Sequence, residues 1–435
     1  MKKILLLNPP SMQPVFRDCY CSCPSKGAFD IHPLDLLIQS GYFSTPDYNV
    51  FFVDAMIEKL TFSQTLARIK SLSPDIILSL TGAIVLEWDC LFFNQLKSAL
   101  PTARLFVSGD IARFEPQIFL QRQPEIEGIL LYFGSNGLLE YIEKGSSPYV
   151  FTSEQSFSST VPIQSFQYPL PNIDIARQYS YKLPFFYKPS YYSICTSFGC
   201  PYTCRYCNTH LLGYARRPVD DIIEELHWAF KSGYTSLYIR DATFMVDKAR
   251  TLNLFQKWRH SKLNFQWICF TRADLLDEEL VENASQLGCC LMMVGVESYN
   301  EAWLHRMSRF MKIQDIFRAF ELLRKYKIPS AAQIMPGAGN DLVNRKSYEK
   351  RLYHFIRCLD PDYISLNIFS KRPGLKTDDA GLLNLASHSQ SYHAIASRIN
   401  RKFYFHPRRI IRHLQKIVKW LKWGRTKDIF LTIFS

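Results

Sequence analysis

The sequence of 435 residues has no apolar run of the ~20 residues that cross a bilayer. Its apolar start, Ile4 to Leu7, stops at Asn8-Pro9-Pro10, short of the ~7 to 15 residues of a secretory signal core. These two absences predict a cytoplasmic protein, or one held peripherally at a membrane. Acidic residues are also few, 39 against 52 Lys and Arg. The resulting net charge of +13 predicts an anionic partner, whether a membrane surface, a nucleic acid or a phosphorylated substrate.

The twelve cysteines include no second paired Cys or Cys/His set at zinc-finger spacing. Without an export signal, so many cysteines predict reduced thiols and metal chemistry more than disulfides. Cys19, Cys21 and Cys23 alternate within one loop. Because cysteines two residues apart strain shared coordination, a structural or incidental role is predicted for them, with a second metal site as the alternative.

Cys200, Cys204 and Cys207 stand at Cys-x3-Cys-x2-Cys spacing, which offers one thiolate fewer than an ordinary iron–sulfur cluster takes. Three thiolates would leave one iron of a [4Fe-4S] cube open to a substrate or cosubstrate. Two alternatives remain open at this point. The thiols could be zinc ligands with a distant fourth, or buried side chains that act as small hydrophobes.

The cysteine spacing, with Tyr206 before the last cysteine, resembles the cluster loop of radical S-adenosylmethionine (SAM) enzymes. The resemblance implies that the open iron chelates the amino and carboxylate groups of SAM. It also implies that an electron from the cluster cleaves SAM to a 5′-deoxyadenosyl radical. A donor such as flavodoxin or ferredoxin would supply that electron.

Residues 1–145 alternate strand and helix, which predicts an α/β domain with a Rossmann-like, doubly wound parallel sheet. Predicted strands cover 4–7, 50–53, 75–80, 103–107 and 129–132, and predicted helices cover 33–42, 62–72 and 91–100. The order Leu-Leu-Asn-Pro-Pro, His-Pro-Leu-x-Leu and Ser-Pro-Asp-Ile-Ile is similar to that of the cobalamin-binding domain that precedes many radical SAM cores. The resemblance therefore implies cobalamin as a further cofactor.

Two features depart from that cobalamin-binding pattern. The glycine-rich loops after the fourth and fifth strands are replaced by Ser108-Gly109-Asp110 and Phe133-Gly134-Ser135-Asn136-Gly137. His32 stands where a cobalt ligand would lie, but Asp35 replaces the glycine of that signature. We therefore predict that His32 is a loop residue that caps the next helix, and that any cobalamin is bound without a His ligand to cobalt.

Residues 146–188 are rich in Ser, Pro and aromatics without sustained periodicity, and are predicted to be a linker that packs on the domains. Alternation resumes over 189–375, the predicted radical SAM core. Predicted strands cover 191–196, 236–240, 265–270, 291–296, 331–335 and 363–369, with helices near 219–230, 247–259, 277–287, 314–326 and 342–357. Six strands and five helices are too few for an eight-fold barrel and predict a partial (β/α)6 barrel.

Within the core, further residues match radical SAM motifs at strand ends, and the resemblance implies that they bind the cofactor. Asp241 is the candidate acceptor for the SAM ammonium, with a helix N-cap as its alternative. Arg272 would pair with the SAM carboxylate or a nearby acid. Glu297 and Ser298, in Gly-Val-Glu-Ser, would bond the ribose or methionine part of SAM. Tyr206 completes this set.

Residues 376–435 form a predicted C-terminal basic helical region. From Arg408 to Trp423, apolar and basic residues take different faces of one helix, which predicts contact with a lipid surface or, equally, packing on the barrel. The whole pattern predicts a radical SAM enzyme that methylates carbon in a small-molecule or lipid-like substrate with cobalamin. A cobalamin-free rearrangement or oxidation is one alternative, and a zinc-stabilised nucleic-acid-binding protein is the other. Nucleic acid is not expected as a partner.

Overall fold

The chain folds into two compact units, Met1–Leu183 and Pro184–Ser435. The structure is a computed structural model that describes residues 1–18, 20–24, 29–154, 166–186, 190–337, 345–375 and 389–412. Cys19 and residues 413–435, which include most of the predicted basic helix, lie outside the described residues. No helix in the described ranges is both long and apolar enough to cross a membrane.

The first unit is an α/β unit built on one six-stranded sheet. Its strands are β1 (Lys2–Asn8), β2 (Val15–Phe16), β3 (Cys23–Pro24), β4 (Tyr48–Asp54), β5 (Ile76–Leu80), β6 (Arg104–Ser108), β7 (Gly128–Leu130) and β8 (Val150–Phe151). Its helices are α1 (Leu34–Tyr42), α2 (Phe62–Leu72), α3 (Leu86–Ala99), α4 (Asp110–Phe114), α5 (Pro116–Arg122) and α6 (Gly137–Lys144).

The strand order of the first sheet is β4-β1-β5-β6-β7-β8, parallel except for the last pair. The predicted doubly wound parallel sheet is confirmed. Continuous apolar runs such as Ile76–Leu80 are wholly buried, as expected when helices cover both faces of a parallel sheet. The short hairpin of β2 and β3 stands apart from this sheet.

Buried polar side chains fill the carboxyl edge of this sheet. Arg17, from the segment after β1, pairs with Asp89 at 2.6 Å, and neither side chain is exposed. Asp110 accepts hydrogen bonds from the Ser22 backbone (2.6 Å) and hydroxyl (2.8 Å). The chain's own residues 9–24 are therefore fastened across the edge at which such sheets bind ligands.

The described part of the predicted linker belongs to the first unit as far as Leu183. Phe166 packs on Phe133, with ring centroids 6.3 Å apart, and Tyr181 donates to the Asp54 carboxylate at 2.7 Å. His32 lies against Tyr181, with ring centroids 4.2 Å apart, and is 4% exposed. The first unit therefore extends beyond residue 145, because these aromatic side chains complete its core.

The second unit contains the six strands and five intervening helices that were predicted. Its strands are β9 (Tyr192–Ile194), β10 (Ser197–Gly199), β11 (Tyr214–Arg216), β12 (Ser236–Ile239), β13 (Gln266–Arg272), β14 (Cys289–Glu297), β15 (Ser330–Ile334) and β16 (Tyr363–Leu366). Its helices are α7 (Val219–Lys231), α8 (Lys248–His260), α9 (Glu278–Gln286), α10 (Glu301–Arg306), α11 (Ile313–Lys325), α12 (Arg345–Leu359) and α13 (Ser389–Tyr404).

The second sheet runs β9-β12-β13-β14-β15-β16, all parallel and in sequence order. A sequential order with helical crossovers is that of a barrel wall, and the confirmed partial (β/α)6 barrel follows from it. The sequence pattern missed the separate hairpin of β10 and β11, which are only three residues each. It also missed the short α10.

We predict that Arg17→Met destabilises the protein by about 3 to 5 kcal/mol, because it leaves Asp89 buried without its ion-pair partner. The matched control is Arg122→Met, which removes an exposed pair with Glu87 and is expected to cost at most about 1 kcal/mol. Urea unfolding followed by circular dichroism measures both. Equal losses in the two variants would contradict the role given to the buried pair.

Candidate active site

The cysteine loop is the connection of a short antiparallel hairpin. Residues Ser197–Gly199 pair with Tyr214–Arg216, and the loop runs between them. Gly199 has a φ of +73°, and a Cβ at that position would lie 1.9 Å from the Gly213 carbonyl oxygen. Glycine is therefore required at the base of the loop, where the Cys200 amide donates to the same carbonyl at 3.1 Å.

Asp241, directly beyond the carboxyl end of β12, fixes the start of this hairpin. Its carboxylate accepts from the Thr196 amide, the Thr196 hydroxyl and the Ser197 hydroxyl, each at 2.6 Å. Asp241 is 2% exposed. Burial raises the pKa of this carboxyl, while the bonds from Ser197 and Thr196 lower it. In this arrangement Asp241 positions the backbone that leads into the cysteine loop.

The three cysteines lie in a largely buried environment. Cys204 is 5% exposed, and Cys200 and Cys207 are partly exposed. The Cys207 sulfur lies 3.2 Å from the Thr209 hydroxyl and the Cys200 sulfur 3.6 Å from that of Thr243. Burial raises the pKa of the Cys200 and Cys207 thiols. Within the described ranges, no three His, Cys, Asp or Glu side chains converge closely enough to hold a single metal ion.

Two buried guanidinium groups face the Cys204 sulfur. Arg272 Nη1 lies 3.7 Å from it and Arg309 Nη1 3.9 Å from it. Arg272 also forms two bonds to the Asp274 carboxylate, at 2.9 and 2.8 Å, and its guanidinium lies 3.9 Å from the centre of the Tyr202 ring. The Cys204 sulfur therefore faces two positively charged groups, Arg272 and Arg309.

Glu297 ends β14 in an unusual backbone conformation. The strand bulges between Gly295 and Glu297, and Glu297 has a φ of +62°. Bulges of this kind re-aim side chains near functional sites. The Glu297 carboxylate lies 3.8 Å from Arg309 Nη1, which also donates to the Tyr206 hydroxyl. Burial raises the pKa of the Glu297 carboxyl, while Arg309 lowers it.

Arg309 connects the cysteine loop to the end of β14. It donates to the Tyr206 hydroxyl and to the Gly295 carbonyl, both at 2.8 Å. A Cβ on Gly295 would lie 2.4 Å from Arg309 Nη2, so only glycine admits this approach. Arg309 is 5% exposed, and its Nε has no hydrogen-bond partner within the described residues.

The structure thus brings four of the sequence-predicted residues together, Cys204, Tyr206, Arg272 and Glu297. Ser298 is placed differently: its hydroxyl accepts from the Asn300 amide at 3.1 Å and shapes the turn into α10. Sequence reasoning missed Arg309. It is one of many basic residues, and only the fold shows that it is buried beside the thiols.

The arrangement suits an anionic metal centre. Thiolate ligands and a bound polynuclear cluster carry net negative charge, and two guanidinium groups on one side compensate it at short range. Strand ends that converge on the loop place Glu297 and Asp241 around the same barrel edge. The site can therefore hold a sulfur-ligated cofactor and bind a polar molecule next to it.

Residues 194–345 match the model of the Radical SAM superfamily, and this range covers the cysteine loop and β14. An uncharacterized methyltransferase of Pyrococcus horikoshii is 22% identical over 88% of this chain and 83% of its own length. An anaerobic magnesium-protoporphyrin IX monomethyl ester cyclase of Synechocystis is 24% identical over 76% of this chain and 68% of its own.

Two solved structures are similar to this chain in fold. The radical SAM methyltransferase TsrM from Kitasatospora setae, with tryptophan and a SAM analogue bound, is 14% identical. It has a TM-score of 0.67 over 87% of this chain and 75% of its own. The cobalamin-dependent radical enzyme OxsB is 15% identical, with a TM-score of 0.61 over 91% of this chain and 56% of its own. Residues 194–345 of this chain are thus similar to the Radical SAM superfamily, and the chain shares the fold of the radical SAM methyltransferase TsrM.

Proposed function

We propose that Cys200, Cys204 and Cys207 hold a [4Fe-4S] cluster with one open iron, and that the enzyme cleaves SAM reductively to modify carbon in a small-molecule or lipid-like substrate. The observation that carries this proposal is the set of three thiols on one glycine-based hairpin, faced by two buried guanidinium groups. The TsrM and OxsB structures, whose descriptions name a cluster, SAM or cobalamin, support it through their shared fold.

The residues present fit the cluster and SAM. The donor set is sulfur only, and cysteine thiolates are the usual ligands of iron–sulfur clusters. The Nε of the buried Arg309 is a hydrogen-bond donor with no acceptor among the described residues, and a cofactor carboxylate or sulfide would satisfy it. When bound, the cluster supplies the electron that cleaves SAM.

The chain's own residues have different roles around the cluster and SAM. Arg272 and Arg309 compensate negative charge at Cys204, and Asp241 fixes the hairpin. Glu297, re-aimed by its bulge, offers a carboxylate to the ribose hydroxyls or the amino group of SAM. Tyr206 accepts a hydrogen bond from Arg309 and so helps to hold that guanidinium beside Cys204. Ser298 supports the turn that follows. An external donor such as flavodoxin or ferredoxin is the proposed source of the electron.

We propose cobalamin-dependent methylation from the fold of the first unit. In their present positions, however, the described residues at the carboxyl edge of its sheet do not fit a corrin. A Cβ on Gly82 would meet Ser22 at 2.7 Å, and one on Gly109 would meet the Thr81 carbonyl oxygen at 1.9 Å. Residues 9–24 would have to move for a corrin to enter. This closed edge favours, as a second candidate, cobalamin-free radical rearrangement or oxidation.

Replacing Cys200, Cys204 or Cys207 by Ala should each remove most of the iron and abolish 5′-deoxyadenosine formation, because the cluster needs all three thiolates. Iron and sulfide analysis after anaerobic purification, and product analysis after dithionite reduction, measure this. Cys358→Ala, which removes an exposed thiol, is the matched control. Unchanged iron content and SAM turnover in the three variants would refute the proposed site.

We expect Glu297→Gln to affect SAM binding and Asp241→Asn to affect iron content. The Glu297 variant should keep its iron content but bind SAM about tenfold more weakly, since it loses a charged hydrogen-bond acceptor. The Asp241 variant should lose iron, because the hairpin start is released. Equilibrium dialysis with SAM and iron analysis separate the two. Loss of iron in the Glu297 variant would assign it to the fold instead.

Reconstitution with hydroxocobalamin followed by desalting tests the first unit. We expect any retained corrinoid to have the same visible spectrum in wild type and in His32→Ala, because His32 is packed against Tyr181 and is not available to ligate cobalt. A spectral change in His32→Ala would contradict this. If no corrinoid is retained while the cluster is intact, the cobalamin-free candidate replaces methylation.

A further inference from the structure

The described residues after α11 carry most of the net charge of the chain. Residues 345–375 and 389–412 contain 13 Lys and Arg but only 3 Asp and Glu, a net charge of +10. All three acids contact bases of the same region: Glu349 contacts Arg398 and Lys402, and Asp360 and Asp362 contact Arg412. The surplus is therefore positive and faces outward.

Large apolar side chains protrude among these charges. Phe405 is 52% exposed, Ile410 42% and Ile411 63%. Arg401 and Arg408 are exposed beside them, and Arg412 is 42% exposed. We define the C-terminal surface as the exposed residues Arg401, Phe405, Arg408, Ile410, Ile411 and Arg412.

The C-terminal surface is held rigidly against the barrel by a buried anchor. Arg409 is 7% exposed, pairs with the Asp360 carboxylate and lies 4.4 Å from the centre of the Phe403 ring. The Tyr404 hydroxyl donates to the Ile364 carbonyl at 3.2 Å. The helical residues 407–412 therefore present Ile410 and Ile411 outward from this buried anchor.

We propose that the C-terminal surface docks on an anionic lipid bilayer. Exposed isoleucine and phenylalanine side chains that lie among arginines suit the membrane interface, where headgroups meet acyl chains. Buried apolar area and cationic charge both strengthen binding there. The cationic face of α12, with Arg345, Lys346, Lys350 and Arg357 exposed, extends the attraction beyond the inserted residues. Two of the three protruding apolar side chains, Ile410 and Ile411, have no ring to stack on a base, which favours lipid over nucleic acid.

The position of the surface favours lipid over an electron-carrier protein. Asp360 and Asp362, which hold residues 407–412, precede β16 and so lie at the amino edge of the sheet. The cysteine loop lies at the carboxyl edge, where Asn208 bonds to the Pro373 carbonyl in the loop after β16. A carrier would have to approach the carboxyl edge. Docking by the opposite edge leaves the cysteine loop accessible.

Co-sedimentation of the full chain with vesicles tests the proposal. Phosphatidylcholine vesicles with about 30% phosphatidylserine should bind the protein, pure phosphatidylcholine should not, and about 0.5 M salt should release it. Ile411→Ser should weaken binding about tenfold and Arg408→Gln about fivefold. Ile118→Ser, at an isoleucine that is 61% exposed in the first unit, and Lys70→Gln are matched controls that should not change binding.

Each contrary outcome overturns the proposal. No binding to the anionic vesicles would exclude a lipid partner. Equal losses in Ile411→Ser and Ile118→Ser would show that the apolar residues of this surface do not insert. Retention of an RNA oligonucleotide or of an acidic carrier protein, without vesicle binding, would assign the positive charge to that partner instead. Circular dichroism of every variant verifies that the fold is intact.

Discussion

The hydrogen bonds between Asp241 and residues Thr196 and Ser197 are the constraint on which the candidate site depends. Three bonds of 2.6 Å join the carboxyl end of β12 to the turn between β9 and the hairpin. Without them the hairpin would be tied to the sheet only through its own pairing and neighbouring loops. The position of the three thiols, and hence any geometry that a cluster requires, therefore depends on this carboxylate.

In the first unit, too, a buried carboxylate at a strand end holds an incoming segment, but the consequence is different. Asp110 lies beyond the carboxyl end of β6 and accepts the Ser22 amide and hydroxyl, as Asp241 accepts those of Thr196. A buried carboxylate at a strand end can satisfy several donors of an incoming segment at once, which offsets the cost of burying its charge. In the second unit this holds a loop around the site. In the first it holds residues 9–24 across the edge.

Charge compensation at Cys204 connects the loop to the rest of the barrel. Arg272 comes from β13, and Arg309 from the turn after α10. Arg309 lies between Glu297 and the thiol, with its Nη1 3.8 Å from the Glu297 carboxylate and 3.9 Å from the Cys204 sulfur. The bulge in β14 and the missing side chain of Gly295 make room for this contact. A substitution in β13, in β14 or in the turn after α10 would therefore alter the surroundings of the cysteine loop.

The sequence by itself determined the order of strands and helices, the three cysteines and the class of chemistry. Apolar runs and helical periodicity are local properties, so strands such as Ile76–Leu80 and helices such as Phe62–Leu72 were predicted almost to the residue. The linker was assigned differently from the structure, because the packing of Phe166 and Tyr181 on the first unit is not a local property.

Only the tertiary structure decided which charged residues meet. Asp241 was predicted to face a ligand, yet in the fold its carboxylate is bonded to Thr196 and Ser197, 45 and 44 residues away. Arg309 carries no signal in the chain, because a buried arginine and an exposed one have the same letter. Its role arises from a contact with Cys204 across 105 residues of sequence. Long-range pairing of this kind depends on how the strands assemble, and composition and spacing do not encode it.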